Sequence, residues 1–412
     1  MITGLHPRHH IDIEATELAY GLEACGSLPD ERRTRGELEA LVDPAGRLLA
    51  TLSVRSAFDL LLTSLALSPG DEVLLSALTI PDMARLVRAH GLVPVPVDVD
   101  PATLAVCPEA LDAACSPRSR VLIVAQLMGN RSDLSVARRF AKDRGLVFVD
   151  DSAQAYLGPE SLRRDDADVV FHSFGSIKTA TCLGGALTHV RDARLRETMR
   201  AHQATWPLQP QAAYARKLAL YWALQIPRDP HVYRAFAAAC QRWGSGLDAV
   251  VTRMTKGFPA HDLDPFLLAI RQRPSPALLA VLHRRVASYD PRRVRLRAES
   301  GETMRAALTD KIPLLGRRQT SRTHWLLAVL VDDPGALVVP LRKAGFDAAR
   351  GATTIMALPA PPERPTIAAP RAREAMARVL FLPVYPEIPA ADRRLLASTL
   401  TMLRPTEPVG RR

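Results

Sequence analysis

LVFVDDSAQAYLG (146–158) and, shortly after it, VVFHSFGSIKTATCLGGAL (169–187) are the two runs on which the reading of this chain turns. The first opens on an apolar run, Leu146 to Val149, that predicts a strand delivering two acids at its C-terminal end. The second predicts another strand, Val169 to Phe174, and a loop that ends on Lys178 before a glycine-rich turn. In an open α/β sheet, ligands gather outside the carboxyl ends of the strands. A carboxylate and a lysine therefore arrive at one place from two strand ends.

A lysine and an acid so presented fit pyridoxal phosphate, the lysine as its covalent anchor and the acid as the group that keeps its ring nitrogen protonated. The run Asp150-Asp151-Ser152-Ala153-Gln154, followed by Ser173-Phe174 and then Lys178, resembles the DegT/DnrJ family of pyridoxal-phosphate aminotransferases. That resemblance implies the aspartate aminotransferase type of fold (fold type I) and action on nucleotide-linked keto-sugars. It implies that Lys178 holds the cofactor, that Asp151 pairs with the ring nitrogen, that Gln154 reaches the ring hydroxyl side and that Ser173 reaches the phosphate. A lysine alone or a strand-end acid alone would read as an ordinary surface or buried residue; the ordered set is what carries the inference.

Around these runs, strands alternate with helices. Phe58, Leu61, Leu62 and Leu65 have helical spacing, and Ser68-Pro69-Gly70-Asp71 breaks the helix. Glu72 to Ala77, Val93 to Val97 and Val121 to Gln126 predict strands, with helices over Pro81 to His90 and Ser135 to Arg144. This alternation predicts an α/β fold with a mostly parallel central sheet flanked by helices, and a smaller C-terminal α/β domain. The chain divides into an N-terminal arm (1–45), a large cofactor-binding domain (46–200), a helical aromatic and basic insert (201–272), and a connecting helix with the small domain (273–412).

The start of the helix at Arg55 offers free backbone amides and a dipole that favour a dianionic phosphate. Where the family has Ser-Gly-Thr, this chain has Ser53-Val54-Arg55-Ser56, so Arg55 and Ser56 are the phosphate candidates beside a plain helix cap by Ser53. Ile80 occupies the position at which many relatives stack an aromatic ring on the cofactor, a term worth about 1 kcal/mol. The family's His-Leu-Tyr-Gly is Gln126-Leu127-Met128-Gly129 here. Arg273 stands near the family's Asn-Tyr-Arg motif without its asparagine, and Arg350 is a candidate wall residue of the small domain; both are weaker substrate-binding candidates, and either reads equally as a surface arginine.

The insert is where the resemblance stops. TWPLQPQAAYARKLALYWALQIPRDPHVYRAFAAACQRWGSGLDAVVTRMTKGFP holds three of the four tryptophans, Trp206, Trp222 and Trp243, among arginines and lysines, and Pro227 and Pro230 split it into two helices. It reads as core or dimer-interface helices, as a lid or wall for an apolar acceptor, or as a basic surface resting on a membrane through 206–258.

Composition bounds the remainder. A chain of 412 residues with 47% hydrophobic and 24% charged residues is globular and long enough for one large and one smaller core. Five scattered cysteines without a CxxC pair predict reduced thiols and no metal site. The absence of a secretory pattern at the start predicts a cytoplasmic protein. The net charge of +11 favours anionic substrates, and no nucleic-acid-binding motif accompanies it. The expected reaction moves an amino group from an amino-acid donor, glutamate by preference, to a keto or aldehyde acceptor such as a nucleotide- or lipid-linked keto-sugar, in a homodimer. The alternatives are a lyase or dehydratase on the same scaffold and a non-catalytic, cofactor-binding regulatory protein. The dehydratase branch of the family carries histidine where this chain has Lys178, and the set Lys178, Asp151 and Gln154 argues against a non-catalytic role.

Overall fold

A computed structural model describes residues 3–403 apart from 164, 245, 256, 259–261, 309–310 and 352–353. The outermost residues of the arm and of the C-terminal region, 1–2 and 404–412, thus lie outside the described residues. Its centre is a seven-stranded sheet: β1 (Leu48–Thr51), β2 (Glu72–Ser76), β3 (Val93–Val97), β4 (Ser119–Ala125), β5 (Val147–Asp151), β6 (Val169–Ser173) and β7 (Ala186–Val190). In space they run β1-β7-β6-β5-β4-β2-β3. The pairs from β6 through β3 are all parallel, and β7 alone runs against both of its neighbours. Parallel strands covered on both faces need continuous apolar runs, and β2, β3 and the interior of β4 are buried along their length apart from Arg120.

Two clusters of apolar side chains clothe the sheet. One face buries Val149, Val169 and Phe171 against the helix Val54–Leu65 and the helix Pro81–Ala89. Phe58 of the first helix meets Phe171 edge-on, with centroids 6.3 Å apart, a geometry worth about 1 kcal/mol beyond its area. The other face buries Leu122, Val124, Phe148 and Val170 against the helices Pro108–Ala114 and Ser135–Asp143. Because successive strand residues face opposite sides, Asp150 and Asp151 of β5 point into different layers. The parallel strands leave the carboxyl ends of β2, β4, β5 and β6 side by side.

The arm forms two helices, Ala15–Ser27 and Glu31–Val42, capped at Asp30. The insert is helical, with Gln211–Ala223 and Pro230–Arg242 separated at Pro227 and Pro230 and followed by Leu247–Thr255 and Leu263–Ile270. Its aromatic residues divide by face. Tyr214, Leu218 and Tyr221 are buried against Leu18 and Val281, and the Tyr214 hydroxyl donates to the carbonyl of Cys182 at 2.8 Å. Trp222 and Trp243 lie on the surface. Among the described residues no helix is long and apolar enough to cross a membrane.

The C-terminal region pairs two antiparallel strands, β8 (Leu327–Leu330) and β9 (Val379–Leu382), under the helices Pro334–Lys343 and Ala390–Leu403. The apolar run HWLLAVLVDD (324–333) forms a strand over only part of its length, Leu327–Leu330. His324 sits at φ +47°, which breaks the extended backbone and turns Trp325 away from the small domain toward the large one.

Candidate active site

Lys178 closes a tight turn, its N–H donating to the carbonyl of Gly175 at 2.9 Å. The loop beyond it folds back on β6: the N–H groups of Cys182 and Gly184 both donate to the carbonyl of Phe174, and the Thr181 hydroxyl donates to that of Gly175. Ala180 and Leu183 adopt left-handed backbone angles, φ +55° and +62°, which non-glycine residues hold only where the surroundings enforce them. Here the enforcement comes from the arm. Asp12 accepts the N–H of Ala180 at 2.7 Å, the hydroxyl of Tyr289 at 2.8 Å and the guanidinium of Arg293 at 2.8 Å. Arg297 donates to the hydroxyl of Thr179 at 2.9 Å. Asp12 is buried, yet Arg297, Arg293 and Arg285 hold its carboxyl down at about 2 against the opposing effect of burial. A fixed negative charge on the arm thus clamps the residues that follow Lys178.

The Lys178 amine is pushed down to about 7 by burial, with Arg55 adding to the push and Asp151 opposing it. An amine so tuned is substantially uncharged at neutral pH, which a carbonyl-attacking lysine requires. Asp151 is raised by burial and drawn back by the N–H of Ala153, by Lys178 and by Arg55. Asp151, Lys178 and Arg55 therefore share one electrostatic neighbourhood, on the sheet face that carries the helix Val54–Leu65. Asp150 sits on the other face, fully buried, with the Ser152 hydroxyl donating to it at 2.9 Å, and burial pushes it up to about 8. Burial raises both acids of the pair, but only Asp151 has Lys178 and Arg55 drawing it back toward the charged form.

At the helix Val54–Leu65, Ser53 caps the first turn: its hydroxyl oxygen accepts the N–H of Ser56 at 3.1 Å. Ser56 is buried and its own hydroxyl donates to the carbonyl of Ile270 at 2.7 Å. Both polar groups of Ser56 are engaged inward, leaving the N–H groups of Val54 and Arg55, which have no partner within the helix by its geometry, at the open end. The Arg55 guanidinium pairs with Asp82 at 2.5 Å and lies 5.5 Å from the ring of Phe258. Ile80 precedes the helix Pro81–Ala89, half-buried between the two sheet clusters.

Gln154 accepts the N–H of Met128 at 2.9 Å, which ties it to the turn Gln126–Gly129. Ser173 ends β6, its hydroxyl oxygen within 3.4 Å of the N–H of Gly175. Met128 and Gly129 are left-handed, at φ +59° and +81°, and Gly129 accepts the N–H of Thr323 at 2.7 Å. A Cβ on Gly129 would lie 2.2 Å from the Thr323 hydroxyl and 2.6 Å from the N of Trp325. Gly129→Ala is therefore expected to destabilise the protein by about 2–4 kcal/mol through backbone strain and overlap. Denaturant unfolding measures this, and a loss below about 0.5 kcal/mol would show that the turn does not rest on the 323–326 segment as described.

Trp325 is the site residue that the sequence did not single out. The Lys178 Nζ lies 4.2 Å from the centroid of its ring, and its indole N–H donates to the carbonyl of Ile177 at 2.8 Å. Arg273 is engaged elsewhere, with Glu31 at 3.1 Å and the carbonyl of Trp206 at 3.1 Å. Its neighbour Arg271 is the one that reaches the helix Val54–Leu65, through Asp59 at 2.8 Å. Arg350 is exposed on a cleft of about 590 Å³ that it shares with Asp248 and Arg253 and that none of Lys178, Asp151, Gln154 or Ser173 lines. Among the described residues no cluster of side chains suits a metal ion.

The donor set suits pyridoxal phosphate: an amine poised near neutrality, a carboxylate beside it, and a helix N-terminus with an arginine on the same side. Residues 32–209 match the model of the DegT/DnrJ/EryC1/StrS aminotransferase family. The fold is similar to that of the aminotransferase TlmJ from Streptoalloteichus hindustanus, with TM-score 0.69 and 20% identity over 97% of this chain and 98% of that one. It is similar as well to the sugar aminotransferase CalS13 from Micromonospora echinospora, with TM-score 0.66 and 19% identity over 96% and 99%. A third likeness is to NtdA from Bacillus subtilis with bound cofactor PMP, with TM-score 0.65 and 17% identity over 97% and 85%.

Proposed function

We propose, from the match of residues 32–209 to the DegT/DnrJ/EryC1/StrS aminotransferase family model and from the geometry of the site, that this chain transfers an amino group from an amino acid, glutamate first among the candidates, to a keto-sugar carried on an anionic nucleotide or lipid group. The observation that carries the reading is the shared neighbourhood of Lys178 and Asp151 at adjacent strand ends. In this reading pyridoxal phosphate is held covalently by Lys178, at its ring nitrogen by Asp151, and at its phosphate by the first-turn amides of Val54 and Arg55 with Ser173. When bound, it supplies a sink for the electrons left on carbon after a proton departs.

Each side chain then has a defined task. The Lys178 Nζ, pushed down to about 7, would hold the cofactor and, when free, would carry a proton from and to the donor α-carbon. Asp151, drawn toward its charged form by Lys178 and Arg55 against burial, would hold the proton on the ring nitrogen. Gln154, fixed through Met128, would reach the ring hydroxyl side, and Ile80 would offer the ring an aliphatic contact in place of stacking. The surplus of positive charge, +11 overall, suits an anionic acceptor. A homodimer that rests its exposed insert residues on a partner or a membrane is consistent with Trp222 and Trp243 lying on the surface.

The test separates the two half-reactions. Holoenzyme mixed with glutamate and no acceptor should release 2-oxoglutarate in about one equivalent per subunit and then stop, the stoichiometry expected of a ping-pong enzyme. Nitrogen-labelled glutamate should later deliver its label to an added nucleotide keto-sugar. No keto acid from glutamate or any other amino acid would sink the transferase reading.

A further inference from the structure

Trp325 comes from the C-terminal region, on the far side of the chain from the motif residues, yet it makes the direct contact with Lys178. Three observations fix it there. Its ring face lies 4.2 Å from the Nζ. Its indole N–H is tied to the backbone of Ile177, the residue before the lysine, at 2.8 Å. Its own backbone is wedged against Gly129, where no Cβ would fit. The ring is buried, with 7% of its surface exposed, so the contact is made away from bulk water.

We propose that Trp325 is the aromatic positioning residue of this site: its ring face seats the Lys178 amine and its N–H pins the turn that carries it, a task that Ile80 cannot perform. The proposal rests on Lys178 being the cofactor lysine. An ammonium over an indole face is stabilised by the ring's electron density, more so when desolvated, so the ring favours the charged form of Lys178 and works against burial. Asp151 on β5 also favours that form, while Arg55 on the helix Val54–Leu65 opposes it. Trp325 therefore keeps the amine from falling so far that it cannot hold the proton it must carry. The N–H bond to Ile177 is a separate tether that limits where the Nζ can travel once it is released.

The two functions separate by substitution. Trp325→Phe keeps a ring and loses the tether; Trp325→Leu loses both. The reactivity of Lys178 toward an amine-acylating reagent, followed across pH by peptide mass spectrometry in the full chain freed of cofactor, reads its pKa directly. Trp325→Leu is expected to lower that midpoint by about one pH unit, and Trp325→Phe by clearly less. A purely structural tryptophan predicts equal shifts for the two, or none, and either result would overturn the proposal. Should Trp325→Leu fail to fold, replacing tryptophan throughout by its tetrafluoro analogue keeps the shape and drains the ring; the midpoint must still fall, since Trp325 is the tryptophan that contacts Lys178.

In the holoenzyme, indole fluorescence supplies a second readout. Loading with pyridoxal phosphate should quench wild-type emission, and Trp325→Phe should remove most of that quench while Trp222→Phe and Trp243→Phe keep it. Unchanged quenching in Trp325→Phe overturns the proposal. Failure to load at all, with Lys178 left unmodified, strikes the aminotransferase reading instead, so the two are told apart.

Discussion

Lys178→Ala is expected to cost about 10⁴-fold or more in turnover, the upper range for losing a proton-transfer group that also anchors the reacting molecule. Among the described residues the charged groups that act on Asp151 are Lys178 and Arg55, and a guanidinium that pairs with Asp82 forms no bond to a carbonyl. The fold should survive. The loop around Lys178 is held by Asp12, Arg297 and the carbonyls of Phe174 and Gly175, all of which remain, and the deletion removes an amine that burial disfavours. Thermal unfolding should therefore show a midpoint equal to or above wild type, while the visible absorbance of lysine-bound cofactor disappears. A variant that retains transamination within tenfold of wild type would remove the basis of the whole assignment.

The sequence made this lysine legible because two local patterns coincide. An apolar strand followed by acids, and a second strand followed by Ser-Phe and a lysine, are both written within 42 consecutive residues, 146–187, and strand ends in a parallel sheet have a fixed side. The same reasoning placed the helices Pro81–Ala89 and Ser135–Asp143 within a residue of where they lie. What it missed depends on contacts between distant segments. Trp325 stood in an apolar run that read as strand, and only the left-handed turn at His324 diverts it to Lys178. Asp12 of the arm gathers Tyr289 and Arg293, more than 270 residues further along the chain. Nothing in a hydrophobic period signals such a hub.

Side-chain competition explains the remaining differences. A serine at the start of a helix is equally able to meet a phosphate or to close a cap, and here Ser53 takes the N–H of Ser56 while Ser56 spends its hydroxyl on Ile270. Two arginines two residues apart, Arg271 and Arg273, could each have reached the helix Val54–Leu65. The first pairs with Asp59, and the second faces the arm and meets Glu31. In the insert, the helical period of tyrosines and leucines did mark a buried face, at Tyr214, Leu218 and Tyr221. Trp222 and Trp243, which the sequence groups with that aromatic face, are instead exposed by 42% and 79%.

Asp151→Ala is expected to retain part of the cofactor and to lose about 100-fold or more in rate, because a ring nitrogen without an anion beside it gives up its proton and the ring then draws electrons poorly. Adjacent strand residues face opposite layers, so the two acids of β5 supply their own control. Asp150 is buried against Ser152 and pushed up to about 8, which leaves it mostly protonated at neutral pH. Asp150→Asn is therefore close to isosteric with the form already present and should leave kcat within a few-fold. Asp151→Asn keeps the shape and removes the acid that Lys178 and Arg55 draw toward its charged form, so it should resemble Asp151→Ala in rate while binding cofactor better. The comparison isolates charge from packing: if Asp150→Asn cripples turnover while Asp151→Asn is mild, the anion that serves the ring belongs to the other face of the sheet. The placement of Lys178, Arg55 and the helix Val54–Leu65 around a single bound ring would then fail with it.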